Sequence, residues 1–357
     1  MNRRLIIRLL LLAAAALSAA ACYWRDLDYE YIDTAQITII YDWSESGLAT
    51  KAQSASVLPG DAINGRTAAF YPMDGSAPVI KLSHSDTVTV NLLVGQYKAV
   101  FFNETFDDFD AIYFEGINTF EQLEARLKHD QVAREPDILA IDMMVPFEIT
   151  EDMVRYTRDF ESKKSKGDLT KGKDGSADIE DRMTVKVTPH SVVYPVTVDV
   201  TIYGLDNIAA TGAYISGFAG GYDFSTRRPS GEAVTHKLTF TKRTFFEGSD
   251  SNGKLEGRFQ SFGLRQQNGH LSGYTLKFRA ILTDGSVFEE TRSIDELITE
   301  ITADGHLAIK VSIGADIGGG GSDPPIVIPD VDPIGGDDGM WHVDVGDWEE
   351  VTVPIEI

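Results

Sequence analysis

The stretch Val196-Thr-Val-Asp-Val-Thr-Ile202 places an apolar side chain at every second position. Successive side chains of an extended strand point to opposite faces, so this period means a sheet with one buried side. The same pattern recurs along the chain. Ile37, Ile39, Tyr41 and Trp43 form one row, and Val88, Val90 and Leu92 alternate with Thr87, Thr89 and Asn91. Tyr274, Leu276, Phe278, Ala280 and Leu282 form another, and Leu307, Ile309, Val311 and Ile313 close the series. Ala68–Tyr71 and Pro78–Leu82 flank Asp74-Gly75, a hairpin turn signal that Asp284-Gly285 repeats, and Gly95 allows a tight turn into Tyr97–Phe102. Strands joined this closely predict antiparallel sheets packed as sandwiches. Two short helical turns are expected among them. Thr119 is placed to cap Phe120–Leu127, and Ser293 with Glu296 forms a capping box for a turn through Ile298.

The N-terminus reads as a secretory leader. Arg3, Arg4 and Arg8 precede the apolar run Leu9–Leu17, and Ala19-Ala-Ala21 leads into Cys22. The run is shorter than the roughly 20 apolar residues that span a bilayer. Cys22 is also the single cysteine of the chain, so no disulfide framework exists and an unmodified thiol would invite wrong pairing outside the cell. A lone cysteine after small residues at a leader's end is where a lipoprotein peptidase cuts and diacylglycerol is attached. Cys22 is therefore expected to carry lipid and to tie the protein to the outer membrane, although Leu17 lies five residues ahead of it rather than the usual three. Two or three acyl chains hold a protein firmly, at about 0.8 kcal/mol per buried methylene.

The expected organisation is a leader over 1–21, a lipidated acidic tether over 22–33, an N-terminal sandwich over 34–143 and a C-terminal sandwich over 144–313. Residues 314–340, rich in Gly, Pro and Asp, are expected to form a flexible linker, and Ser162–Ser176 a mobile loop. The segment 341–357 ends in Val351, Val353, Ile355 and Ile357, which alternate with Thr352, Pro354 and Glu356. An amphipathic strand after a linker needs a sheet edge. It either folds back on its own molecule or is exchanged with another chain.

Chemistry is harder to find. The formal charge is −23, and losing the leader's three arginines takes the mature chain to −26, which disfavours nucleic-acid binding. The seven histidines lie far apart in sequence, no Gly-x-Ser-x-Gly elbow occurs, and Gly217, Gly220 and Gly221 do not read as a phosphate loop. The acidic runs Asp107, Asp108, Asp110 and Asp330, Asp332, Asp337, Asp338 lack the spacing that wraps calcium. No enzyme, metal or cofactor is expected.

Several pieces together resemble the fimbrillin-like outer-membrane lipoproteins of the Bacteroidales type, which include fimbrium anchoring subunits. They are Ala-Ala-Ala-Cys22, the Phe-Tyr-Pro-Met-Asp-Gly segment at Phe70–Gly75, and Val90-Asn-Leu-Leu-Val-Gly95-Gln-Tyr97 running on to Phe102-Asn103. The tail from Val343-Asp-Val-Gly-Asp-Trp348 is similar to the closing strand of those lipoproteins, and Leu92-Leu93 stands where Leu-Pro is common. The resemblance implies an all-β chain of two tandem transthyretin-like antiparallel sandwiches and a surface-exposed, lipid-anchored protein. It also implies a structural or adhesive role beside other fimbrial subunits, joined by strand addition. A glycan-binding surface lipoprotein of a nutrient uptake system is the alternative.

Overall fold

The computed structural model describes residues 33–47, 64–128, 132–165, 183–267, 270–271, 273–294, 297–301, 307–314 and 324–332. Cys22, the tether and residues 341–357 lie outside them. The early strands are β1 (Thr34–Tyr41), β2 (Arg66–Pro72), β3 (Val79–Ser83), β4 (Thr87–Leu93), β5 (Gly95–Asn103), β6 (Ile112–Glu115), β7 (Glu124–Leu127) and β8 (Ala140–Ile149). Helix α1 (Glu151–Ser165) is followed by β9 (Thr184–Val187), β10 (His190–Ser191), β11 (Tyr194–Tyr203), β12 (Ile208–Asp223), β13 (Arg228–Phe245) and β14 (Gly253–Ser261). Then come β15 (Gln266–Gln267), β16 (His270–Leu271), β17 (Thr275–Leu282), β18 (Val287–Ser293), β19 (Leu297–Ile301), β20 (Leu307–Ile313) and β21 (Ile326–Val327).

Two compact units result. The first gathers residues up to Asp108, Asn118–Phe120 and Ala140–Ser191; the second takes Phe109–Ile117, Glu121–Leu139 and the chain from Val192. The chain thus does not divide between 143 and 144, where the pattern alone put the boundary. Pairing partners far apart in sequence decide the matter: β8, β9 and β10 complete sheets begun by β1 and β5.

In the first unit one sheet runs β4-β1-β9 and the other β10-β8-β5-β2-β3. β1 is antiparallel to β4, with Ile37 opposite Val90, and parallel to β9, with Ile39 opposite Val185. Ala35, Ile37, Ile39 and Tyr41 are buried together with Val88, Val90 and Leu92. Tyr41 meets Phe101 of β5 edge to face at 6.3 Å, and its hydroxyl donates to the Thr67 carbonyl at 2.8 Å. Burial raises the Tyr41 phenol pKa well above its ordinary value. β9 pairs with β1 from Thr38 onward, so among the described residues no strand lies beside the start of β1 on that side. Thr157 of α1 covers it, its Oγ1 accepting the Gln36 N–H at 3.0 Å and donating to the Met153 carbonyl at 3.1 Å. At the far end Asp42 pairs with Lys186 at 2.8 Å. This contact and the Ser44 donors lower the Asp42 carboxyl to about 2. A folded-state pKa below the unfolded one favours the fold above the ordinary carboxylate range, and the benefit disappears as pH falls through about 2. A pH titration followed by carboxyl NMR should place Asp42 below its ordinary value of 3.8, and Lys186→Met should bring it back toward that value.

In the second unit β13 belongs to two sheets. Its first half pairs with β12, from Asp223 opposite Arg228 to Ala213 opposite Leu238. Its second half, Thr239–Phe245, pairs with β14. One layer therefore runs β18-β17-β12-β13, with β7 and β6 beyond the end of β12, and the other runs β13-β14-β11-β20-β19. Val196, Val198, Val200 and Ile202 point into the core as the alternation requires, against Ile215, Phe218, Leu238, Phe259, Leu276, Phe278 and Val311. β11 is antiparallel to β14 but parallel to β20, so parallel ladders join the antiparallel ones.

The expected turn at Phe120–Leu127 is only a single 3-10 turn, Phe120–Gln122, before β7. Ala125 and Leu127 alternate with Glu124 and Arg126, and β7 pairs with the end of β12. The Ser293–Ile298 helical turn is likewise not formed: Leu297–Ile301 is strand β19, paired with β20. The linker expected over 314–340 contains a docked piece. Ile326 and Ile328 are buried, and β21 lies parallel to Ile202 and Tyr203 of β11. Helix α1, which the sequence pattern did not announce, extends to Ser165. No helix among the described residues is long and apolar enough to cross a membrane.

Candidate strand-docking edge

The residues expected to act, Cys22 and the row Val351, Val353, Ile355 and Ile357, lie outside the described residues. Among the described residues the second unit has a stretch of open sheet edge. β12 and β13 part company after the pair Ala213–Leu238, because β13 crosses to β14 while β12 stays with β17. Among the described residues no strand pairs with Ile208–Gly212 on the side β13 has left, nor with Thr239–Phe245 on the side away from β14. Between them lies a hollow of about 220 Å³, lined on its apolar side by Leu205, Ile208, Phe240 and Leu255.

Arg243 spans this opening. Its Nη1 donates to the Ile208 carbonyl at 3.0 Å and its Nη2 to the Leu205 carbonyl at 2.7 Å. Its guanidinium lies 5.2 Å from the ring of Phe245, which is 41% exposed. Next to it Lys242 pairs with Glu256 at 3.0 Å and draws that carboxyl's pKa below the ordinary range. Charged side chains on an open edge are the usual protection against unwanted pairing. The chain's last described stretch comes to the same place. The Ile328 N–H donates to the Tyr203 carbonyl at 2.8 Å, and Asn207 donates to the Asp330 carboxylate at 3.3 Å.

A row of backbone donors and acceptors, an apolar floor and a basic rim can hold an extended acidic segment. Sequence reading missed this edge because Thr239-Phe-Thr-Lys-Arg-Thr-Phe245 alternates weakly. The adjacent Lys242 and Arg243 were its one visible mark. Among the described residues no three His, Cys, Asp or Glu side chains gather as a metal would need.

The profile of a family described as a domain of unknown function, DUF5119, matches residues 21–239. The chain belongs to the DUF5119 family. Among solved structures, this DUF5119 protein matches an adhesin candidate from Bacteroides ovatus at a TM-score of 0.53 and 16% identity, over 84% of this chain and 94% of that one. At that identity the match establishes a shared fold. A cell-adhesion protein candidate from Bacteroides eggerthii matches at 0.43 and 12% identity, over 82% of this chain and 90% of that one. The fimbrial anchor protein Mfa2 of Porphyromonas gingivalis matches at 0.38 and 15%, over 72% and 82%. No curated protein matches the sequence.

Proposed function

We propose that this DUF5119 protein is a cell-surface lipoprotein with a structural or adhesive role, an anchor or accessory subunit of a fimbrium-like assembly, held to the outer membrane by acyl chains on Cys22. The observation that carries the adhesive reading is the fold shared with the Bacteroides ovatus adhesin candidate, which extends over 94% of that chain. The lipid reading is supported by the position of the only cysteine and by the family match, which opens at Ala21, one residue before it. In this reading the lipid supplies attachment and the acidic residues after Cys22 keep the body clear of an anionic surface. The sheet edges supply contacts to other subunits.

Fractionation of the host's envelope tests the attachment. Wild-type protein is expected in the membrane pellet with an intact mass raised by acyl chains, and Cys22→Ala protein in the soluble fraction. A single myristoyl-sized chain binds membranes with a constant of only about 10⁴ M⁻¹, so loss of two or more should move nearly all the protein. An unmodified thiol in native material, or Cys22→Ala protein still pelleting, would end the lipid reading. Chains co-purifying with the lipidated protein test the role. Fimbrillin-like subunits are expected, whereas a transporter with glycosidases would turn the assignment to glycan uptake.

A further inference from the structure

We propose that residues 351–357 of the same molecule add to the open edge of β13 at Thr239–Phe245 as a further strand, closing the hollow between β12 and β13. The inference rests on the edge and the sequence of the tail, and on neither the lipid nor the adhesive role.

Four observations converge on it. Val351, Val353, Ile355 and Ile357 share one face of an extended segment, and the half-buried Phe240, with the buried Leu205, Ile208 and Leu255 beneath the hollow, is the apolar floor on which such a row would lie. Pro354 fits the same placement. In an antiparallel ladder the backbone groups of alternate residues point to opposite sides, so pairing through the odd-numbered residues turns Pro354 outward. There its missing N–H removes no ladder bond and discourages any further strand. The exit point is right: Asp330 is held by Asn207, and the neighbouring carbonyls of Leu205 and Ile208 are those that Arg243 of the open edge already grips. The eighteen residues between Asp332 and Val351 reach about 60 Å when extended. Charge agrees as well. Residues 333–357 carry seven carboxylates and no Lys or Arg, while His236–Phe245 carries Lys237, Lys242 and Arg243 and no carboxylate. Six of those carboxylates lie at 337–350 and Glu356 alone lies in the strand itself, so in a chain of net charge −23 the basic strip attracts the acidic approach to the strand.

The test uses the full mature chain with Cys22→Ala as a cysteine-free background. Single cysteines at Thr239, Thr241 or Thr244 are combined in turn with one at Thr352 or Glu356, and disulfides are formed under mild oxidation at several protein concentrations. At least one pair should close within the monomer, with a yield that does not change on dilution. Disulfides between two chains that grow with concentration would show that the segment is exchanged between copies, and no disulfide in any pair would show that it docks elsewhere; either overturns the proposal. Hydrogen exchange gives a second reading without cysteines. In Val353→Asp plus Ile355→Asp, the amides of Thr239–Phe245 should exchange about tenfold faster or more than in the parent, while those of β11 keep their protection. Equal protection of Thr239–Phe245 in both proteins would refute the docking.

Discussion

Phe218→Ala is expected to remove about 3–5 kcal/mol of stability from the second unit, the range seen when a fully buried aromatic ring is truncated. Phe218 has no exposed surface. It meets Phe259 edge to face at 5.0 Å and Tyr274 at 5.3 Å, and His236 lies 6.2 Å away. Phe218 and Tyr274 belong to one layer and Phe259 to the other, so the ring joins both. Its loss leaves a cavity in the middle of the sandwich rather than at a collapsible margin, which favours the upper part of the range. Urea unfolding of the parent and the variant, followed by near-ultraviolet circular dichroism, should show the midpoint falling. A change below about 1 kcal/mol would mean that the two layers do not meet through this ring.

Gly217→Ala should cost about 2–4 kcal/mol although it adds a single methyl group. Gly217 sits at the register shift of β12 between Ser216 and Phe218, with φ of +106°, where L side chains are strained by roughly 1–2 kcal/mol. A Cβ there would also stand 2.8 Å from the Gly273 carbonyl oxygen and 2.9 Å from Tyr274 Cα, both backbone atoms that cannot turn aside. Relief requires moving β17 or undoing the bulge. Undoing the bulge would turn Phe218 to the other face, so the two substitutions are coupled and their effects should fall short of adding. Thermal unfolding of both single variants and the double variant reads this directly, and full additivity would show that the bulge does not aim the ring.

The strands that alternate without interruption were legible from residue order. β11 and β20 carry their apolar rows in plain sight, and β2 and β3 fold around Asp74-Gly75 as that dipeptide suggests. The longest strands were not. Gly217, Gly220 and Gly221 break the pattern of β12, yet each is needed where another backbone or side chain crosses closely; a Cβ on Gly221 would lie 2.7 Å from the Ala125 carbonyl oxygen. Helix α1 hid in a run of charges, because among its described side chains only Val154 and Thr157 are buried. Pro324-Pro-Ile-Val-Ile-Pro329 read as linker by composition, whereas its isoleucines fill the end of the core. The docking edge was unreadable for a different reason. It exists because β13 changes sheets, and nothing local records where a long strand swaps partners.

The parallel ladders have a bearing on how the molecule comes into being. β1 needs β9 beside it, with Thr38 opposite Thr184, and β11 needs β20, with Val196 opposite Ile309. Neither pair can be made by a hairpin closing on itself, so each waits for a distant stretch to be synthesised and brought back against an unfavourable loop entropy. The growing polypeptide accordingly passes through a long interval in which its first strands exist with one side bare. A chain that stays unfinished until its last third has emerged is slow to bury its first strands.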